Sequence, residues 1–452
     1  MARPVTNTAF EALLRAAGYG NAHAAFARQL NHAGRIHGTW RYDAASVYWW
    51  LRGRCPAEHV QTTMAKAFAR KLGRAVLVAE LGFAAALLAP ETAYPSAASH
   101  AIDAAERLWT MLARQLGPQS SGTFQRDAAL HAALAWRYDL PDETVAHSGR
   151  QPVTTADVDS LYALADHFTD LDRRHGGGSP RTRTLMADLL ARQVSPMLRG
   201  TYTDAVGRDL VRAAATLSGQ FAFMSYDAGD QAVAQHLLTV ALRLAKAADD
   251  RLYGAHLLAN LATQALYLGH AQDASRLAEA AIDGAGRAPA AVRARLYTTA
   301  ASAYGRSGER RACQHALAKA ERALDRTDAG SSPRWAAYFG TAHFAGAALK
   351  CLSDLHLHRQ ALRHAPGAVD LANQNARTRA LHTALIATIH ARAGDIEAAC
   401  EWGRELAVHV PVVRSARVTH RVHELTATLS PYRTTSQVNE FLRTLPAPTA
   451  HN

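Results

Sequence analysis

The feature that most restricts this chain is an internal repeat. A glycine, a small residue five positions later and another seven beyond it recur through the C-terminal two-thirds. The instances are Gly229–Ala234–Ala241, Gly269–Ala274–Ala281, Gly308–Cys313–Ala320, a degenerate His356–Ala361–Ala368, and Gly394–Ala399–Leu406. Successive copies lie about forty residues apart, with one longer interval before His356. A glycine at this place permits the tight turn after a helix, and the small residues let a second helix pack closely against the first. One such pair cannot bury its apolar face alone, so neighbouring pairs must stack.

Composition agrees with helix throughout: alanine and leucine dominate, and runs of β-branched residues are rare. The 452 residues allow two or three domains. The opening MARPVTNTAF has no long apolar stretch and is not expected to act as a signal peptide. The longest apolar run, around Ala75–Ala89, is interrupted by Glu80 and Gly82 and is too short to span a bilayer. Cys55, Cys313, Cys351 and Cys400 have neither paired nor metal-like spacing, which suits a reducing cytoplasm.

The net charge of +12 is unevenly spread. Residues 1–85 hold eleven Lys and Arg against four Asp and Glu. A small basic domain is what a polyanion binder needs, because each neutralised phosphate releases counterions. Within it, Thr8 is placed to cap a first helix carrying Phe10, Leu13 and Leu14, ended by Gly18. AHAAFARQLNHAG reads as a second helix and, after the loop RIHGTWRY, Asp43 caps a third, DAASVYWWLRG. Pro56 opens a fourth with Val60, Met64, Phe68 and Leu72 on one face. Val47 and Trp50 are expected in the core.

AFARQLN and SVYWWLRGRCP resemble the second and recognition helices of lambda-repressor-like (Xre/Cro-type) helix-turn-helix domains. The resemblance implies that residues 1–85 bind double-stranded DNA. Base readout would fall to Ser46, Tyr48, Trp49 or residues of the preceding loop, since Ala44 and Ala45 carry no hydrogen-bonding group. Arg35, His37, Arg41, Arg52 and Arg54 would contact phosphates.

Residues 86–155 read as a linker with connecting helices, starting at the Pro/Ser/Ala-rich APETAYPSAAS. Gly176–Gly178 follows a helix, has no preceding strand and lacks a GK[ST] end, so it reads as a helix terminus and not a phosphate loop.

The array over 156–445 resembles tetratricopeptide repeats, which implies a right-handed α-solenoid with a concave groove lined by the first helix of each pair. Residues 446–452 read as a disordered tail. Counting back from each landmark, the groove positions are His256, Thr263, Tyr267, Arg295, Thr298, Arg306, His343, Lys350, Thr388 and Arg392. This polar, mostly basic lining suits a peptide, a small molecule or a protein, particularly one bearing an acidic group.

HFTDLDRRHGGG, SPMLRGTY, FMSYDAGDQAVAQHLLTVALRLAKAADD and LGHAQDASRLAEAA resemble segments of a family of transcriptional regulators from high-GC Gram-positive bacteria. The resemblance implies a cytoplasmic, nucleoid-associated, homodimeric regulator whose array senses a signal. An enzyme is not expected: GxSxG, HExxH and Walker patterns are absent. Neither a cofactor nor a metal is expected, and His356, His358 and His364 have no metal-like spacing with carboxylates. The rival expectation is a tetratricopeptide adapter without sequence-specific DNA binding, which the two alanines at the start of the recognition helix keep open.

Overall fold

A computed structural model describes residues 5–33, 40–56, 58–72, 76, 81–83, 94–114, 124–140, 149–327, 332–371 and 375–445. The fold is all-α: about four-fifths of it is helix, packed as a consecutive solenoid-like array. Among the described residues the one β-type pairing is an isolated bridge between Pro152 and Thr201. The described residues divide into two compact units, one over 5–83 and one over 94–445.

The first unit holds helices α1 (Thr8–Ala16), α2 (His23–Ala33), α3 (Ala44–Trp50) and α4 (Glu58–Leu72). Its core is aromatic: Phe10 packs edge-on to Phe26, Trp50 and Phe68. The first cap differs from the expectation. Asn7, not Thr8, accepts the Phe10 N–H, because its amide also reaches the Leu81 carbonyl and so ties the two ends of the unit together. Asp43 caps α3 as read, in a reciprocal box with Ser46.

The second unit begins with α5 (Ala98–Arg114) and α6 (Arg126–Tyr138). α7 (Thr155–His175) and α8 (Pro180–Leu189) follow, α8 running through a π turn into Ser195–Leu198. The repeat pairs are α9 (Asp204–Ala228) with α10 (Gln231–Ala247), α11 (Arg251–Tyr267) with α12 (Ala271–Ala285), and α13 (Ala290–Arg306) with α14 (Arg310–Leu324). In the fourth, α15 (Thr341–Asp354) is answered by two short helices, α16 (His358–Leu362) and α17 (Ala365–Val369). α18 (Ala376–Arg392) with α19 (Ile396–His409), then α20 (Ala416–Leu429) with α21 (Ser436–Thr444), complete the chain.

The repeat landmarks have a common geometry. Gly229, Gly269, Gly308 and Gly394 all take left-handed backbone angles, and His356 takes one in the degenerate copy. The residue after each landmark donates its N–H to the carbonyl five positions back, closing the helix end. The ten small or apolar residues that follow these landmarks are all fully buried between paired helices.

Two relationships go beyond the sequence reading. The helices within 86–155 are not a separate connector. Trp109 and Trp136 lie in the main core of the second unit. A Cβ on Gly254 or Gly284 would stand 2.3 Å or 2.1 Å from the Trp136 ring, so these glycines make the seat for that indole. Arg126 pairs with the buried Asp273, and Gln125 and Gln235 exchange two hydrogen bonds.

The second relationship is closure. The expected groove is open, yet the two ends of the array meet. The Arg414 N–H donates to the His175 carbonyl and the Gly178 N–H to the Arg414 carbonyl. The glycine run is what admits this strand of chain. A Cβ on Gly176 or Gly178 would strike the Arg414 carbonyl, and one on Gly177 the Met224 backbone. Gly176 ends α7 with φ +80°, as its position after a helix implies. Among the described residues no helix is long and apolar enough to cross a membrane.

Candidate functional site: a cavity within the closed array

Helices α7, α9, α11, α13, α15, α18 and α20 surround a cavity of about 1050 Å3. Nine of the ten groove residues expected from the repeat register line it: His256, Thr263, Tyr267, Arg295, Thr298, Arg306, His343, Lys350 and Arg392. Thr388 does not. It is fully buried, its hydroxyl donating to the Ala384 carbonyl, on a helix packed closely against α20.

Closure brings in residues that were not among the expected groove positions. Asp172 on α7 and Asp227 on α9 meet Arg377 on α18 and Arg417 on α20. The Arg417 Nε lies 2.6 Å from Asp227, which also accepts the Ser415 hydroxyl at 2.7 Å and the Gly177 N–H at 2.8 Å. Both guanidiniums lie over the Phe223 ring, and Arg417 over Tyr226 as well. Burial alone would push the Asp227 carboxyl up, but Arg417, Arg377, the Gly177 N–H and the Ser415 hydroxyl together hold it below the usual range. Asp172 is raised by burial, against the pull of Arg377. A signal for Asp227 was present in the sequence. The position two before each landmark, which gave Tyr267, Arg306 and Arg392, also gives Asp227 and Asp354.

One wall is aromatic. Trp335 and Tyr338 come from the connection between α14 and α15, outside the repeat motif. Trp335 packs on His256 with ring centres 4.7 Å apart and edge-on to Tyr253. Tyr338 meets His343 edge-on, and the Arg173 guanidinium lies over its ring.

Three of the cavity histidines, His256, His343 and His382, are held below the ordinary imidazole range. Burial, then Arg295, holds His256 well below the ordinary imidazole range. Burial, with His382 and Arg173 nearby, pushes His343 down to about 3. Burial also lowers His382, although the Ala368 carbonyl opposes it. A polar and aromatic lining with fixed cations is suited to holding a ligand.

The first unit carries the other candidate surface. Trp49 is 41% exposed beside the buried Trp50 at 4%. Arg41 and Arg54 are exposed, while Ser46, Tyr48 and Arg52 are half-buried. Ser46 is engaged with the Asp43 carboxylate. Arg52 lies over the Tyr48 ring at 3.4 Å and donates to the Tyr48 carbonyl. Arg35 and His37 lie outside the described residues.

Residues 10–84 match a family profile described as the SP15 N-terminal domain. The match is to the first compact unit. A search among curated proteins gave no significant match for the chain.

Proposed function

We propose that this protein is a DNA-binding regulator whose helical array takes up a signal in its cavity. The observation that carries this reading is the pairing of two unlike units. One is small and basic, with Trp49, Arg41 and Arg54 exposed around a short capped helix. The other holds a polar and aromatic cavity of a size suited to a small ligand. A ligand shifts DNA occupancy only by binding one conformation of the array better than another. Two copies of the chain would then set the spacing of two half-sites, about 34–36 Å or a multiple of it.

The test is genomic footprinting followed by gel shifts with the full chain at several salt concentrations. Sequence-specific, salt-sensitive binding is expected. Replacing Arg52 and Arg54 by Ala should weaken it across all sequences and lower the salt slope by about two. Absence of sequence-specific binding sinks this reading. The adapter reading then takes its place, favoured by exposed Ala44 and Ala45 and by a Ser46 hydroxyl already bonded to Asp43.

A further inference from the structure

The cations of the cavity are not equivalent. Arg377 and Arg417 pair with Asp172 and Asp227. Arg392 and Arg421 share Glu424. Arg306 and Lys350 share Asp354, and Arg212 reaches Asp250. Arg173 and Arg334 have Asp170 and Asp166. Arg295 alone, among the described lining residues, has no carboxylate partner.

Its contacts are with neutral groups. Nε donates to His256 Nδ1 at 3.1 Å and one Nη2 proton goes to the Asn260 side-chain Oδ1. These two bonds fix the guanidinium plane and leave its remaining N–H groups for a ligand. The side chain is half-buried, so the charge has lost part of its water without gaining a counter-charge. Trp335 and Tyr253 pack around the same His256 and are half-buried and buried respectively.

We infer that Arg295 is the anchor of a carboxylate-binding subsite, for a carboxylate carried on an aromatic body that lies against Trp335. This deepens the reading of the array as a signal receptor and rests on it. A planar guanidinium held by two fixed bonds matches the two oxygens of a carboxylate. A phosphate brings nearly two negative charges and three oxygens. The one unneutralised cation here would leave part of that charge buried and unpaired. The geometry does not distinguish a free aromatic acid from the C-terminal carboxylate of a peptide ending in an aromatic residue, and the experiment separates them.

The experiment is calorimetric titration of the full-length protein, without DNA. The probes are 2-naphthoate against 2-naphthamide, and the tripeptide Ala-Ala-Trp with a free against an amidated C-terminus. At least one acid should bind, its amide should bind about tenfold more weakly or less, and Arg295→Gln should cost a similar factor. Arg295→Lys, which keeps the charge but loses the fork, should bind between the two. Which acid binds decides the source of the carboxylate. Equal binding of acid and amide overturns the subsite, as does unchanged binding in a folded Arg295→Gln. So does no binding of either acid at millimolar concentration. Should Arg295→Gln not fold, the acid–amide comparison on the unaltered protein and Arg295→Lys still decide. DNA binding is measured separately: acid binding without any DNA binding leaves the subsite standing and removes the regulator, and the reverse result does the opposite.

Discussion

Asp227, near the end of the first repeat helix, is ion-paired through Oδ1 to Arg417 Nε near the other end of the array. The carboxylate is fully buried and accepts bonds from three residues on two segments: Gly177 on one, Ser415 and Arg417 on the other. The two ends of the array are therefore held by one desolvated group. Its stabilisation depends on every partner being present, because an unpaired buried charge costs more than the pair returns.

Asp227→Asn should destabilise the second unit by roughly 3–5 kcal/mol, since it strands Arg417. Chemical denaturation followed by tryptophan fluorescence measures this. The replacement of Asp227 and Arg417 together by Asn and Met should cost less than the single change. A single variant within about 0.5 kcal/mol of the parent would show that closure does not depend on this pair.

Acid should loosen the cavity. In the unfolded chain His256, His343 and His382 titrate near their ordinary value of about 6.5. In the folded chain burial holds all three lower, His343 at about 3. The unfolded state therefore takes up protons first as pH falls. Stability is intact above about pH 6.5 and is lost progressively below it. Urea midpoints between neutral pH and about pH 4 report the slope. His343→Gln should flatten it, and an unchanged slope would show that His343 is not buried as a neutral group.

Trp136 tests whether the helices before residue 155 belong to the array. Gly284→Ala should cost about 1–3 kcal/mol, because the new methyl meets the indole. Trp136→Ala should cost about 3–5 kcal/mol. In the Trp136→Ala background the Gly284 change should cost little beyond its own backbone effect. Simple additivity would mean that the indole does not sit over Gly284.

The adjacent tryptophans of α3 should separate core from surface. Trp50→Ala should lower the stability of the first unit by about 3–5 kcal/mol. Trp49→Ala should change it by no more than about 0.5 kcal/mol while weakening DNA binding. Thermal unfolding with a parallel gel shift checks both, and equal destabilisation would place Trp49 in the core.

The sequence by itself determined the helices and the turns between them, because both are local. A left-handed turn needs glycine or a tolerant residue within the turn, and a close helix pair needs small residues at fixed offsets from it. The same register brought His256, Arg295 and His343 to one wall, each thirteen positions before its landmark. It reached Asp227 and Asp354 too, but a position in a repeat does not say whether a carboxylate meets water or a guanidinium. That depends on contacts between residues far apart in the chain. Closure by Arg414 against the glycine run, the seating of Trp136 on Gly254 and Gly284, and the entry of Trp335 from a connection outside the motif are all of this kind. Thr388 has the register of a lining residue and is buried because its helix packs against α20. Only the tertiary structure decided these points, since each follows from how far the stacked pairs curve before their ends meet, and that curvature is the sum of many small packing angles that no single repeat encodes.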